Sequence, residues 1–185
     1  LEPGQTPTTS ATAWQLLALY SAQQAKLRVD PAVLQRAAAF LDRTQSDGGA
    51  FYGETGPGKE PAATAMALLC RLHLGWKLDN PALTRGIDYL AKLGPSQTDM
   101  VCNWGTTTLM CYVSGPTWDT WNRGLRKQLV NLQTKDAAEA GSWWTPGAIH
   151  AKEGGRLLQT AFSASCLEVY YRYLSLYKWQ PAAPK

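Results

Sequence analysis

RAAAFLDRTQSDGGAF, from Arg36 to Phe51, holds the pattern that decides the fold. With the residues just upstream, Val33, Leu34, Ala37, Phe40 and Leu41 fall on one side at helical spacing, while Gln35, Arg36, Asp42 and Arg43 occupy the rest. That is the pattern of a helix lying against a core with one face in water. Asp30-Pro31 supplies an N-cap followed by proline in the first turn, where its missing N–H costs nothing. After the helix come Gln45, the Gly48-Gly49 turn, and Gly49-Ala50-Phe51.

Working outward, the same order of residue types returns. Arg85-Gly86…Tyr89-Leu90 repeats the basic-small start and apolar pair, Arg123-Gly124…Gln128-Leu129 repeats the start with Gln128 at the aromatic position, and Gln133…Gly141-Ser142-Trp143 repeats the end. Helical periodicity runs through the chain and no alternating strand stands out. The pattern predicts helices near 9–25, 31–44, 62–75, 81–93, 100–113, 118–134 and 156–175. Asn80-Pro81 opens the fourth as Asp30-Pro31 opens the second. Gly75, Gly94 and Gly115 stand where helices should stop.

Two kinds of helix alternate. The second, fourth and sixth are one-sided; the others are apolar nearly all round, as expected of helices enclosed by protein. The enclosed ones share a threonine near their start: Thr12-Ala13, Thr64-Ala65, Thr107-Thr108 and Thr160-Ala161, about 43 to 53 residues apart. A unit of roughly that length is in the range of helical-hairpin repeats. The expected fold is all-α, with an inner and an outer layer.

Bulk properties bound the function. The chain has 185 residues and a net charge of +4 without a basic run interleaved with aromatics, which argues against nucleic acid as a partner. No apolar run approaches the ~20 residues that span a membrane. The four cysteines, Cys70, Cys102, Cys111 and Cys166, lie in or beside apolar runs without a Cys-x-x-Cys pair and read as buried hydrophobes, so no compartment is implied. Residues 1–8 read as a linker, 9–178 as the repeat domain and 179–185 as a tail, within a segment of a longer or processed protein.

The basic-small, aromatic-aliphatic, Gln, Gly-x-aromatic order resembles the glutamine–tryptophan repeat of squalene–hopene and oxidosqualene cyclases, whose α/α toroid is shared by protein prenyltransferase β subunits. The run Gly154-Gly155-Arg156…Thr160-Ala161…Leu167 to Tyr173 is similar to the last helix of bacterial, planctomycete-type prenyltransferase and squalene-oxidase-repeat proteins. The resemblance implies a toroid-like partial barrel of about seven helices over residues 9–178, within a larger bacterial protein, cytoplasmic or membrane-anchored. The first unit departs from the pattern at Phe51, where tryptophan is expected, the second at Gly94 in place of Gln, and the third by a long insertion before Gly141.

The stretch Gly53 to Leu69, GETGPGKEPAATAMALL, is where chemistry is expected, and three readings fail there. Gly53-x-x-x-x-Gly58-Lys59 is the front of a phosphate-binding loop, but Glu60 replaces the Ser or Thr that holds magnesium, and a helix and turn precede it instead of a strand. The cyclase resemblance implies Asp-x-Asp-Asp-Thr-Ala, whose middle Asp protonates an alkene or epoxide. The chain reads Glu60-Pro61-Ala62-Ala63-Thr64-Ala65, with alanines for the second and third acids. The prenyltransferase resemblance implies zinc ligands where Ala62 and Thr64 stand. No cofactor or metal is therefore expected.

Aromatic density remains, with eight Trp and eight Tyr. Rings on an inner face can cradle isoprenoids, but core packing and glutamine–aromatic stitches at Trp143 and Trp144 account for them first. The candidate ligand-binding residues are Trp14, Tyr52, Glu60, Trp104, His150, Arg156 and Tyr170. His73, in the last turn of its helix, reads as a helix-end cation or a partly buried imidazole. His150 reads as a loop residue. Arg156 is placed to meet an anion or to pair with Glu153 or Glu168. The expected function is a non-catalytic binding or assembly module for another protein segment; the alternative is an isoprenoid-like ligand, bound or turned over by a divergent enzyme. A carbohydrate-active enzyme, which needs paired carboxylates in one cleft, ranks last.

Overall fold

The computed structural model describes residues 6–136 and 138–169. Among them are seven α-helices: α1 (Thr9–Gln24), α2 (Pro31–Thr44), α3 (Pro61–His73), α4 (Pro81–Leu93), α5 (Met100–Val113), α6 (Gly115–Leu132) and α7 (Ala151–Leu167). Two short strands, β1 (Gln45–Ser46) and β2 (Phe51–Tyr52), pair antiparallel across a 3₁₀ turn. The protein is all-α, helix packed on helix, with this small ribbon as the departure from the expected absence of strands.

Local chemistry sets the helix starts. Asp30 accepts a hydrogen bond from Ala32 N at 2.9 Å, and Asn80 Oδ1 accepts from Ala82 N at 2.9 Å, as their sequence signals predict. Thr8 and Asp99 cap α1 and α5 in the same way. Gly75 and Gly94, both at positive φ, follow α3 and α4. Two starts differ from expectation. α6 begins at Gly115 because Ser114 (φ 60°) and Gly115 (φ 78°) turn the chain at once into a proline-led helix. α7 begins at Ala151 because a short first turn joins the main helix across a kink at Gly155 (φ 55°, ψ −152°). The part of the expected last helix from residue 170 onward lies outside the described residues.

The chain forms two compact units, Leu1–Leu90 and Ala91–Lys185. In the first, α1 and α3 run side by side in the same direction. Thr9 N donates to Glu54 O just before α3, Cys70 Sγ lies 3.7 Å from Ala13 O, and Tyr20 stacks on His73 at 3.9 Å. α2 packs along α1, and every residue of α3 from Ala63 to Leu72 is buried. α4 seats Gly86 against Leu68 and the carbonyl of Ala50. In the second unit α5 packs on α7 and on α6. Trp104 meets the edge of Phe162, and Trp121 Nε1 donates to Thr107 Oγ1 at 3.0 Å.

α3 and α5 are enclosed, as their sequences predict. α1 and α7 are not, and here the expectation is corrected. α1 buries Thr9, Ala13 and Leu16 while Trp14 is exposed; α7 buries Gln159, Ser163 and Cys166 while Leu157 is 81% exposed. Their buried residues recur every three to four positions, which is the mark of a helix with neighbours on one side only.

One motif occurs in both units. Gln45 pairs with Tyr52, and Gln133 with Trp143. Thr64 Oγ1 accepts from Tyr52 N at 3.0 Å and donates to Tyr52 O at 3.3 Å. Thr160 Oγ1 accepts from Trp143 N at 3.1 Å and donates to Trp143 O at 3.4 Å. The counterpart of Trp143 is thus Tyr52, one residue later than the Phe51 that the sequence spacing indicates.

The glycines at the two basic-small positions have opposite roles. A Cβ at Gly86 would lie 2.4 Å from Leu68 Cδ1 and 2.6 Å from Ala50 O, whereas one at Gly124 would meet nothing closer than Pro95 Cγ at 3.9 Å. Gly86→Ala should therefore destabilise the protein by about 1–3 kcal/mol through overpacking. Gly124→Ala should stabilise it by up to about 1 kcal/mol through helix propensity. Urea denaturation of the two variants checks both signs.

Candidate functional site

The loop from Gly53 to Glu60 leaves β2 and returns to start α3. Glu60 N donates back to Tyr52 O at 2.9 Å, so its two ends meet. Its glycines serve a backbone crossing: a Cβ on Gly58 would lie 2.8 Å from Gly53 Cα, and one on Gly53 would lie 2.5 Å from Gly56 O. The loop carbonyls are also engaged. Thr9 Oγ1 donates to Gly53 O and Ser46 Oγ to Gly58 O, both at 2.6 Å.

Both loop acids have structural partners. The Glu54 carboxylate accepts from Ser10 N at 3.0 Å and from Ser10 Oγ, at the N-terminus of α1 where the unpaired amides favour a negative charge. Glu60 is exposed, and its Oε1 accepts from Glu54 N at 3.4 Å. Lys59 Nζ sits over two rings, 4.0 Å from the Phe51 centroid and 4.6 Å from that of Tyr89, while the Tyr89 hydroxyl donates to Lys59 O. Such an exposed cation–π pair contributes about 0.5–1 kcal/mol. The lysine ties the loop to α4.

At the start of α3, Ala62 is half-buried and Ala63 has no exposed surface. Behind them Tyr52 is wholly buried, and its hydroxyl accepts from Arg71 Nε at 3.0 Å. Arg71, itself buried, bonds Asp42 at 2.6 Å and lies over the Trp76 ring. Burial pushes the Tyr52 hydroxyl above its ordinary pKa, against the lowering effect of Arg71. Tyr52 therefore faces the core and not an open cleft.

The remaining candidates are dispersed. Trp14 keeps 39% exposure on α1. Trp104 is half-buried beside Phe162. His150 is exposed in the left-handed conformation (φ 63°) at the start of α7, with no side-chain cap bond. Arg156 pairs with Glu139 at 2.6 Å and donates to Ser142 Oγ and Thr134 Oγ1, so neither Glu153 nor Glu168 is its partner. The intervening loop folds back over α7 and brings Glu139 closer than its sequence distance indicates. Tyr170 lies outside the described residues. Of the seven candidates, Tyr52 and Glu60 meet at one loop.

No family model, curated protein or solved structure matches this chain. Its chemistry is therefore read from its own residues. Among the described residues no group of three or more His, Cys, Asp or Glu is placed to hold a metal ion. Cys70, Cys102 and Cys166 are buried, which pushes each thiol up to about 12. Cys111 is half-buried. Sequence reasoning missed the Lys59 seat and the Glu54 cap. Both join residues at least 30 positions apart, or groups on different elements, and neither leaves a local signal.

Burial also perturbs His73, in the opposite direction. Desolvation lowers its pKa to about 4, so the neutral imidazole stacked on Tyr20 is the form at neutral pH. The unfolded chain takes up the proton below about 6.5, whereas the folded one does so only near 4. Stability is thus full above about pH 6.5 and is lost as pH falls towards 4. Allowing for the ring's partial exposure, the loss between pH 7 and pH 5 should be on the order of 1 kcal/mol. Denaturation midpoints at the two pH values should show it in the wild type, and His73→Phe should remove most of that difference.

Proposed function

We propose that this chain is a non-catalytic binding or assembly module built on an α/α arrangement like that of the terpenoid cyclases and prenyltransferases. The observation that carries the reading is the start of α3. The proposed general-acid positions hold Ala62 and Ala63, and Ala63 is sealed from solvent. Protonating an alkene needs a carboxyl held in its acid form at a shielded, fixed point. Glu60, the acid directly before α3, is exposed and bonded to the loop backbone.

Two further features support the proposed architecture. Each unit sets two helices side by side, α1 with α3 and α5 with α7, with a one-sided helix alongside. Each also carries the Gln–aromatic–Thr lock, at Gln45–Tyr52–Thr64 and Gln133–Trp143–Thr160. Fold alone assigns no activity, so the functional half of the proposal stands on the missing acids.

A second reading, an isoprenoid or lipid binder, draws on Trp14, whose large apolar side chain is exposed on α1. Incubation with squalene, and with prenyl diphosphates plus zinc, should give no product. Turnover that disappears in Glu60→Gln would overturn the module reading. Mass spectrometry of solvent extracts separates the second reading: a co-purified polyisoprenoid that is lost in Trp14→Ala favours it.

A further inference from the structure

The outward face of α6 is the strongest feature that the proposed function leaves unused. Asp119, Asn122, Arg123, Arg126, Lys127 and Val130 line a groove of about 520 Å³ that ends at Asn131. These positions recur every three or four residues, so they form one stripe along a single helix face. From Asp119 to Asn131 the stripe is about 18 Å long at 1.5 Å per residue. Arg123, Arg126 and Lys127 are exposed and form no ion pair with any described residue. Next to the three cations, Val130 is 62% exposed.

We propose that this groove docks an acidic amphipathic helix of a partner protein. The three cations sit at i, i+3 and i+4 on successive turns, which matches carboxylates at the same spacing on a facing helix. Val130, at i+7, gives that helix an apolar anchor one turn on. Side-by-side helices approach to about 8–10 Å, close enough for both contacts. A compact anion would use only the middle of the stripe and leave Val130 unexplained. A nucleic-acid backbone would meet Asp119 at one end, and the stripe offers no ring for a base to stack on. Charge complementarity sets the orientation: acidic residues over Arg123 to Lys127, and no acid over Asp119.

The inference rests on the binding-module reading and names its partner's chemistry. The test uses a labelled helical peptide with Glu at i, i+3 and i+4 and Leu at i+7, titrated by fluorescence anisotropy at low and physiological salt. Arg126→Glu/Lys127→Glu should weaken binding at least about tenfold, because like charges then face each other. The control Arg28→Glu/Arg36→Glu makes the same change in net charge within the first unit and should leave binding within about threefold. Val130→Asp should weaken it as well. Arg126→Gln/Lys127→Gln, a milder pair, repeats the test should the reversed charges disturb folding, which circular dichroism reports. Equal losses in groove and control variants, no saturable binding, or tighter binding of pyrophosphate or a thymidine oligonucleotide would overturn the proposal. Turnover in the enzyme assays would sink the module reading without touching the peptide result, so the two failures are distinguishable.

Discussion

A threonine hydroxyl that serves both backbone groups of one aromatic residue is the constraint on which each unit depends. The ribbon after α2 is only two residues per strand, and the pairing after α6 is a single bridge. Neither forms a ladder long enough to satisfy its own backbone, and an unpaired buried amide costs about 1–3 kcal/mol. Thr64 and Thr160 supply the missing donor and acceptor from the next helix. The aromatic residue is then fixed, and its side chain organises what lies behind it. Tyr52 receives Arg71, which reaches Asp42 on α2. Trp143 Nε1 donates to Leu129 O at 2.8 Å and holds the loop to α6.

That constraint also explains why the glycine-rich loop is poor in free chemistry. Its carbonyls accept from Thr9 and Ser46, its glycines permit a backbone crossing, and Glu54 neutralises the start of α1. Lys59 is held between Phe51 and Tyr89. A polar group committed to folding in this way is poorly placed to act on a substrate. The cations of α6, in contrast, stand together on one exposed helix face beside Val130, and for that reason they are the ones read as a surface for another molecule.

Legibility from sequence followed the range of the interaction. Caps at Asp30 and Asn80 act over two residues and were readable directly. The presence of all seven helices and the approximate extent of the first six were readable, since periodicity accumulates over many residues. The aromatic register was not. Phe51 and Tyr52 are adjacent, and only the pairing of Gln45 with Tyr52 chooses between them. The openness of α1 and α7 was also hidden, because an apolar helix does not encode how many neighbours it has. Arg156 shows the same limit at the candidate site. Glu153 lies close along the chain, yet the folded loop delivers Glu139.

The placement of the thiols has a practical consequence. Cys70, Cys102 and Cys166 are shut in the interior and kept in the protonated form. Thiol-directed reagents need a thiolate they can reach. Cys111, at the end of α5, is half-buried and so the most accessible of the four cysteines, and burial raises its pKa as well. The native chain thus carries its own site for attaching a single spectroscopic label to the second unit, with no cysteine to remove first.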